Sequence, residues 1–232
     1  MNLHIRHAQI GDLNAVTILE QRCFPQEEAA DRDTFQRRLQ DFPECFWVAD
    51  SDGKIVSMVN GMTTDCRDLT DEMYANSTLF DPNGAWLMLF GVATHPGFQG
   101  SGIASRLMAH VMEQMKMQGR SGIVLTCKDA LIPFYERFGF VSEGVSASVH
   151  GGAVWHQMRL DFQEHLFECA RTGEECVFYL SGKRLILYRW RQCDGDFLNV
   201  SDENGCILWQ ALNANGQAYL EFKEAYRGGM LL

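Results

Sequence analysis

The chain has 232 residues, of which 46% are hydrophobic and 22% are charged, and its formal net charge is −10. This composition supports a buried core and excludes a disordered chain, and no apolar stretch is long enough to span a bilayer. The negative charge argues against binding to nucleic-acid phosphates and favours a cationic partner.

The first 160 residues predict a mixed α/β sheet with flanking helices, in the order β-α-α-β-β-β-α-β-α-β-β. Residues 64–84 are polar and predict a long loop. The predicted strands are Leu3–Ala8, Cys45–Ala49, Lys54–Asn60, Ala85–Thr94, Ile123–Cys127, Phe140–Ser148 and Val154–Leu160. The predicted helices begin after Asp12, cover Glu27–Gln40 and Ile103–Gln118, and run from Asp129 to Phe138.

The sequence after Phe162 has a different texture, with turn signals such as Asp194-Gly195 between short apolar runs. We therefore expect two domains, 1–162 and 163–232, the second being a small antiparallel all-β domain of unknown role. Its predicted strands are Cys176–Leu180, Leu185–Trp190, Phe197–Val200, Cys206–Gln210 and Tyr219–Phe222.

The eight cysteines are scattered, without a CxxC pair. The last four, at 169, 176, 193 and 206, lack the close pairs of zinc ribbons, so we expect no metal site. The N-terminus leads directly into a strand rather than a signal peptide, and reduced thiols are typical of the cytosol. A cytoplasmic protein is expected.

The strongest local signal is Gln99-Gly100-Ser101-Gly102-Ile103-Ala104, between a buried strand and a helix. Glycines let successive N–H groups point one way, and the start of a helix adds positive potential. The segment predicts either a cradle for a pyrophosphate or an ordinary strand-to-helix turn.

Two motifs together resemble the GNAT superfamily of acetyltransferases. One is the Gln-x-x-Gly-x-Ala segment that opens the helix at Ile103, and the other is the segment from Ala130 to Phe140, with Phe134-Tyr135 and Gly139-Phe140. The resemblance covers residues 3–160. Leu125–Tyr135, Cys23-Phe24-Pro25 and Val92–Phe98 further resemble arylalkylamine (serotonin) N-acetyltransferases.

The resemblance implies a GNAT-type twisted sheet, acetyl-CoA as co-substrate and roles for named residues. Tyr135 would donate a proton to the departing thiolate, although an aromatic residue in this place can also be part of the core. The slot for the amine would be bordered by Phe24, Pro25, Glu27, Glu28, Met88 and Phe90, although the two glutamates can also be part of a solvated helix face. The residues implied to bind the cofactor are Val92, Ala93 and Thr94, through their backbone along the pantetheine arm, with Gln99, Gly100, Ser101, Gly102, Ile103, Ala104 and Ser105 around the pyrophosphate.

One departure from the family concerns the general base. Vertebrate members have two histidines on the central strand, and the matching positions are Met88 and Phe90, which carry no ionisable group. A water chain, an already neutral amine or His95 are the remaining alternatives. Cys127 lacks a motif that would make it a nucleophile.

The resulting prediction is an N-acetyltransferase that moves an acetyl group from acetyl-CoA to a primary amine by direct attack. The amine would be a small molecule, similar to an arylalkylamine or a polyamine. The alternatives are a non-catalytic acyl-CoA-binding sensor or scaffold and a peptide N-terminal acetyltransferase. A homodimer is left open.

Overall fold

A computed structural model describes residues 3–193 and 195–231. The chain divides into two compact units, one built from residues up to 115 with 122–160, the other from 116–121 with 161 onward. No helix among the described residues is long and apolar enough to cross a membrane.

The first unit is a mixed sheet with flanking helices, and the predicted element order is confirmed. Its strands in the described residues form one sheet in the order β1-β2-β3-β4-β5-β7-β6. The strands are β1 (Leu3–His7), β2 (Phe46–Ser51), β3 (Lys54–Thr64), β4 (Trp86–Thr94), β5 (Gly122–Cys127), β6 (Val141–Val145) and β7 (His156–Asp161). The helices are α1 (Leu13–Cys23), α2 (Arg32–Asp41), α3 (Ile103–Met117) and α4 (Ile132–Glu136).

The start of α2 differs from the prediction. The helix was expected from Glu27, but it begins at Arg32, because the Thr34 amide donates to the Asp31 carboxylate at 2.8 Å in a helix cap. Residues 26–28 form a turn instead. The segment that carries Glu28 is therefore an irregular strap rather than the face of a helix.

The second half of strand β4 is only partly paired within the sheet. Its antiparallel pairing with β3 shifts between Asn60↔Gly91 and Gly61↔Leu89, which leaves Phe90 as a bulge. Gly61 is required here, since a Cβ atom would lie 2.2 Å from the Met88 carbonyl oxygen. The parallel pairing of β4 with β5 ends at Leu89↔Leu125. Within the described residues, the segment 90–94 therefore has a strand partner on one side only.

The second unit contains a four-stranded antiparallel sheet in the order β11-β10-β9-β8. The strands are β8 (Cys176–Leu180), β9 (Lys183–Gln192), β10 (Gly195–Asp202) and β11 (Ile207–Leu212), accompanied by α5 (Phe162–Thr172) and α6 (Ala218–Arg227). Asp194, part of a predicted turn, lies outside the described residues.

The two helices of the second unit were not predicted. The expected strand Tyr219–Phe222 is wrong, because this segment lies in α6. Ala218, Phe222 and Ala225 recur at helical spacing and are all buried in the core of the unit. Phe222 is fully buried, with ring centroids at 5.6 Å from Trp209 and 6.4 Å from Phe167.

Candidate active site

The glycine-rich loop leads directly into α3 and borders a cleft of about 290 Å³, here called the glycine cleft. Gly100 and Gly102 have φ angles of 75° and 80°, a conformation that favours glycine. A Cβ atom at either position would meet nothing within 4 Å, so their backbone faces open space. The Arg106 amide donates to the Gly102 carbonyl at 3.0 Å, so the amides of residues 103–105 precede the first intrahelical bond.

Three lining residues of this cleft were missed by sequence reasoning: Phe98 before the glycines, and Phe134 and Arg137 in the second motif. The Arg137 guanidinium lies 5.2 Å from the centre of the Phe134 ring. Both residues flank Tyr135 within the second motif, which was the available signal. The cleft therefore combines a helix N-terminus with a side-chain cation, and both favour an anion.

Most of the predicted pyrophosphate-binding residues come together in the glycine cleft. The Ser101 hydroxyl donates to the Phe98 carbonyl instead of lining the wall. Val92 and Ala93 lie on β4 outside the cleft, and Ala93 is buried. The lining residues are Thr94, Phe98, Gln99, Gly100, Gly102, Ile103, Ala104, Ser105, Phe134 and Arg137.

Tyr135 is 6% exposed and packs edge-on against Phe134 and Phe140. Burial raises the pKa of its phenol, and the nearby Cys127 adds to the effect. Burial also raises the pKa of the Cys127 thiol to about 11, with a further contribution from the charge of Asp129. Both groups keep their protons at neutral pH, so the Tyr135 hydroxyl has a proton to donate and Cys127 is a poor nucleophile.

A second cleft of about 330 Å³ is bordered by Phe90 of β4, and we call it the carboxylate cleft. It is built from five segments that are far apart in sequence. The polar loop predicted over residues 64–84 contributes part of its wall. The lining residues are Glu20, Glu28, Ala29, Ala30, Asp31, Thr34, Arg38, Asp71, Tyr74, Ala75, Phe90 and His150.

The aromatic wall of the carboxylate cleft is a continuous stack. The rings of Tyr74 and His150 are parallel within 16°, with centroids 4.9 Å apart, and Tyr74 also lies 5.1 Å from Phe90. The Arg38 guanidinium lies over Phe90 at 4.5 Å and donates to the Asn60 side-chain oxygen at 2.7 Å. Burial lowers the pKa of Arg38 to about 10, so it stays charged.

Glu20 lies on the buried face of α1 and is 5% exposed. Its Oε1 accepts a hydrogen bond from the Ala30 amide at 3.1 Å, whereas its Oε2 has no partner among the described residues. Burial raises the pKa of Glu20 to about 7, and the Ala30 amide and the charge of Arg38 offset only part of this rise. A buried carboxylate oxygen without a partner destabilises the folded state, so its presence calls for an explanation.

The residues predicted for the amine slot are only partly brought together. Glu28 and Phe90 line the carboxylate cleft, and Phe24 lines an adjoining cleft of about 650 Å³ with Ala29, Ala30 and Asp31. Met88 is fully buried in the core, and Pro25 and Glu27 are exposed beside the clefts' lining segment.

Sequence reasoning missed Glu20, Arg38 and Tyr74 in this cleft. A signal for Glu20 existed, because it follows Leu13 and Val16 at helical spacing on the apolar stripe of α1. A carboxylate at an apolar position is informative in a way that a charged helix face is not.

His95 is held by local contacts. Its Nδ1 faces the Gly97 amide at 3.1 Å and its Nε2 faces the Arg22 guanidinium at 2.8 Å. An imidazole accepts at one nitrogen at most, so only one of these two contacts is a hydrogen bond accepted by His95.

The second unit brings together His165, Cys169 and Cys176, whose ligand atoms all lie within 4.8 Å of one another. The His165 nitrogen and the Cys169 sulfur are 3.8 Å apart. A hydrogen bond between the two thiols raises the pKa of Cys169 and lowers that of Cys176. The fold thus brings together three potential metal ligands that their spacing along the chain had not suggested.

Comparisons with known proteins converge on one family. The sequence profile of the acetyltransferase (GNAT) family matches residues 13–140. The serotonin N-acetyltransferase of Mesocricetus auratus is 32% identical over 123 residues, which are 53% of this chain and 58% of that protein. This chain thus spans less than two thirds of that relative.

Solved structures show the same fold in the first part of the chain. The loading GNATL domain of CurA from Lyngbya majuscula superposes with a TM-score of 0.61 at 18% identity, over 71% of this chain and all of that domain. The GphF GNAT-like decarboxylase, solved with isobutyryl-CoA, has a TM-score of 0.56 at 22% identity, over 68% of this chain and 98% of its own.

Proposed function

The chain belongs to the acetyltransferase (GNAT) family, as its two motifs predicted, and on that premise we propose that it transfers an acetyl group from acetyl-CoA to a primary amine. The amine attacks directly, without an acyl-enzyme. The observation that carries the proposal is that β4 borders both clefts, Thr94 the glycine cleft and Phe90 the carboxylate cleft. Four residues of strand span about 13 Å, so a carrier anchored at one cleft can extend along the strand to the other.

The glycine cleft fits the pyrophosphate of acetyl-CoA. The open space beside Gly100 and Gly102 admits the phosphates, and the α3 N-terminus and Arg137 supply positive potential. The half-paired backbone of Val92–Thr94 would hold the pantetheine arm as an added strand. When bound, acetyl-CoA supplies the thioester whose carbonyl carbon the amine attacks.

Tyr135 would act as the proton donor to the departing sulfur. Its raised pKa keeps the phenol protonated, and the thiolate that it serves has a pKa near 8.5, so proton transfer is assisted as charge develops on sulfur. Tyr135→Phe should lower kcat roughly ten- to a thousandfold and leave the affinity for acetyl-CoA nearly unchanged. Tyr188→Phe, which removes a hydroxyl from β9 of the second unit, is the matched control. Unchanged turnover in Tyr135→Phe would show that Tyr135 serves only as a core aromatic residue.

The carboxylate cleft supports a small cationic acceptor. Its volume of about 330 Å³ is close to the lower end of small-molecule sites, about 300 Å³. Its flat aromatic wall suits an arylalkylamine, and the similarity to serotonin N-acetyltransferases points the same way. A polyamine-like acceptor would use the same carboxylates without filling the wall.

A screen of amines with acetyl-CoA, read as release of free thiol, tests the proposal. Thiol release with 2-phenylethylamine or tryptamine is the expected result. Release only with peptides would favour an N-terminal acetyltransferase. A rise in Tm with acetyl-CoA but no thiol release with any acceptor would favour a non-catalytic acyl-CoA-binding role.

A further inference from the structure

We propose that Glu20 is the general base of the amine site: its unpartnered carboxylate oxygen binds the substrate ammonium in the carboxylate cleft and removes one proton from it. The inference rests on the proposed function and deepens it. It assigns the step for which Met88 and Phe90 offer no ionisable group.

The other three carboxylates of the cleft each accept a hydrogen bond, as Glu20 does, but none of them has a buried oxygen without a partner among the described residues. The Lys128 ammonium donates to Glu28 at 2.6 Å, and Asp31 caps α2. Asp71 accepts from the Ser148 hydroxyl at 2.5 Å and from the Val149 amide at 2.9 Å. Of the four, only Glu20 combines a place in the lining, 95% burial and an oxygen without a partner.

A carboxylate held in this way is matched to an ammonium. The Ala30 amide fixes Oε1 at 3.1 Å, which orients the side chain, and the buried Oε2 has no partner among the described residues. The pKa of about 7 means that Glu20 is substantially ionised at neutral pH, yet basic enough to accept a proton. The ionisable groups that face it are Cys23 on α1, Arg38 on α2, the strap residues Glu28 and Asp31, Asp71 and Tyr74 of the polar loop, and His150.

Arg38 does not replace the substrate as a partner of Glu20. Its guanidinium donates to the Asn60 side chain at 2.7 Å and to the Tyr74 carbonyl at 3.0 Å. Its charge only moderates the pKa of Glu20. An ammonium entering the cleft would therefore meet a Glu20 oxygen that no described residue binds, although the buried Arg38 Nε lacks a partner as well.

The proton balance of the reaction closes with two residues. One ammonium proton passes to Glu20 and then to solvent, which leaves a neutral amine. The C–N bond forms and the C–S bond breaks, and Tyr135 gives its proton to the sulfur. The proton that the new amide nitrogen sheds restores the Tyr135 phenol. Overall, ammonium and thioester give amide, thiol and one proton.

The test is the pH dependence of kcat/KM for 2-phenylethylamine in the wild type, in Glu20→Gln and in the exposed control Glu44→Gln. The wild type and the control should lose activity below about pH 7, where a base with that pKa becomes protonated. Glu20→Gln should be reduced roughly a hundredfold or more and should lack this acidic limb. With 2,2-difluoro-2-phenylethylamine, whose amine is far less basic, the defect of Glu20→Gln should shrink at least tenfold.

The outcomes separate this inference from the proposed function. An active wild type with an equally active Glu20→Gln, or a variant that keeps the acidic limb, would overturn the role of Glu20 alone. The same defect with both amines would show that Glu20 does not act by removing a proton. If the wild type acetylates no amine, the proposed function fails, and the base assignment fails with it.

Discussion

Replacing Glu20 by glutamine should stabilise the protein at alkaline pH. The folded-state pKa of about 7 lies above the ordinary value of 4.5, so the native state holds more protons than the unfolded state between these values. Stability contributed by this group therefore falls as the pH rises through that window, and the full cost is present above about pH 7. A shift of this size corresponds to about 3 kcal/mol.

The expected gain is smaller than this limit, because the new amide brings N–H donors that need partners. Glu20→Gln should raise the free energy of unfolding by about 1 to 3 kcal/mol at pH 8 and by less than about 1 kcal/mol at pH 5. Urea denaturation at both pH values measures the difference. Glu44→Gln, at an exposed position, should stay within about 0.5 kcal/mol of the wild type. A Glu20→Gln variant less stable than the wild type at pH 8 would refute the reasoning, because the carboxylate would then be satisfied by the fold.

Two further substitutions probe other parts of the molecule. Arg137→Ala should raise the KM for acetyl-CoA about threefold to tenfold, with little change in kcat and a smaller effect in high salt. The control Arg32→Ala should change neither KM nor kcat. Initial-rate kinetics at two salt concentrations measure both variants. Phe222→Ala should lower the free energy of unfolding by about 3 to 5 kcal/mol, because the ring is fully buried in the second unit, and a loss below about 1 kcal/mol in chemical denaturation would contradict that packing.

Local patterns in the sequence were enough for most of the first unit. The helix that begins at Ile103 was predicted to within one residue of its end, because four of its buried residues recur at a spacing of four: Ile103, Leu107, Val111 and Met115. In α6, Phe222 and its neighbours also form good strand residues, so four residues read alone favoured the wrong element. The pattern became helical only over the ten residues from Ala218 to Arg227.

The two clefts also differ in how far they could be predicted from the sequence. The glycine cleft was predictable because Gly100, Gly102 and the start of α3 are adjacent in sequence. The carboxylate cleft was not, because Glu20, Tyr74 and His150 come from segments that only the folded chain brings together. The predicted substrate residue Met88 is adjacent in sequence to this cleft but points into the core, a distinction that strand alternation next to a bulge obscures.

The bulge at Phe90 also has a consequence for acyl selectivity under the proposed function. Because rigid strand rather than loop separates Thr94 from Phe90, β4 acts as a ruler between the anchored end of the donor and the acceptor. Because the distance from the anchored pyrophosphate to the acceptor cleft is fixed, an acyl chain longer than acetyl must extend into the space that the amine needs. Donor length and acceptor size should therefore trade against each other, with the shortest donors accepting the bulkiest amines.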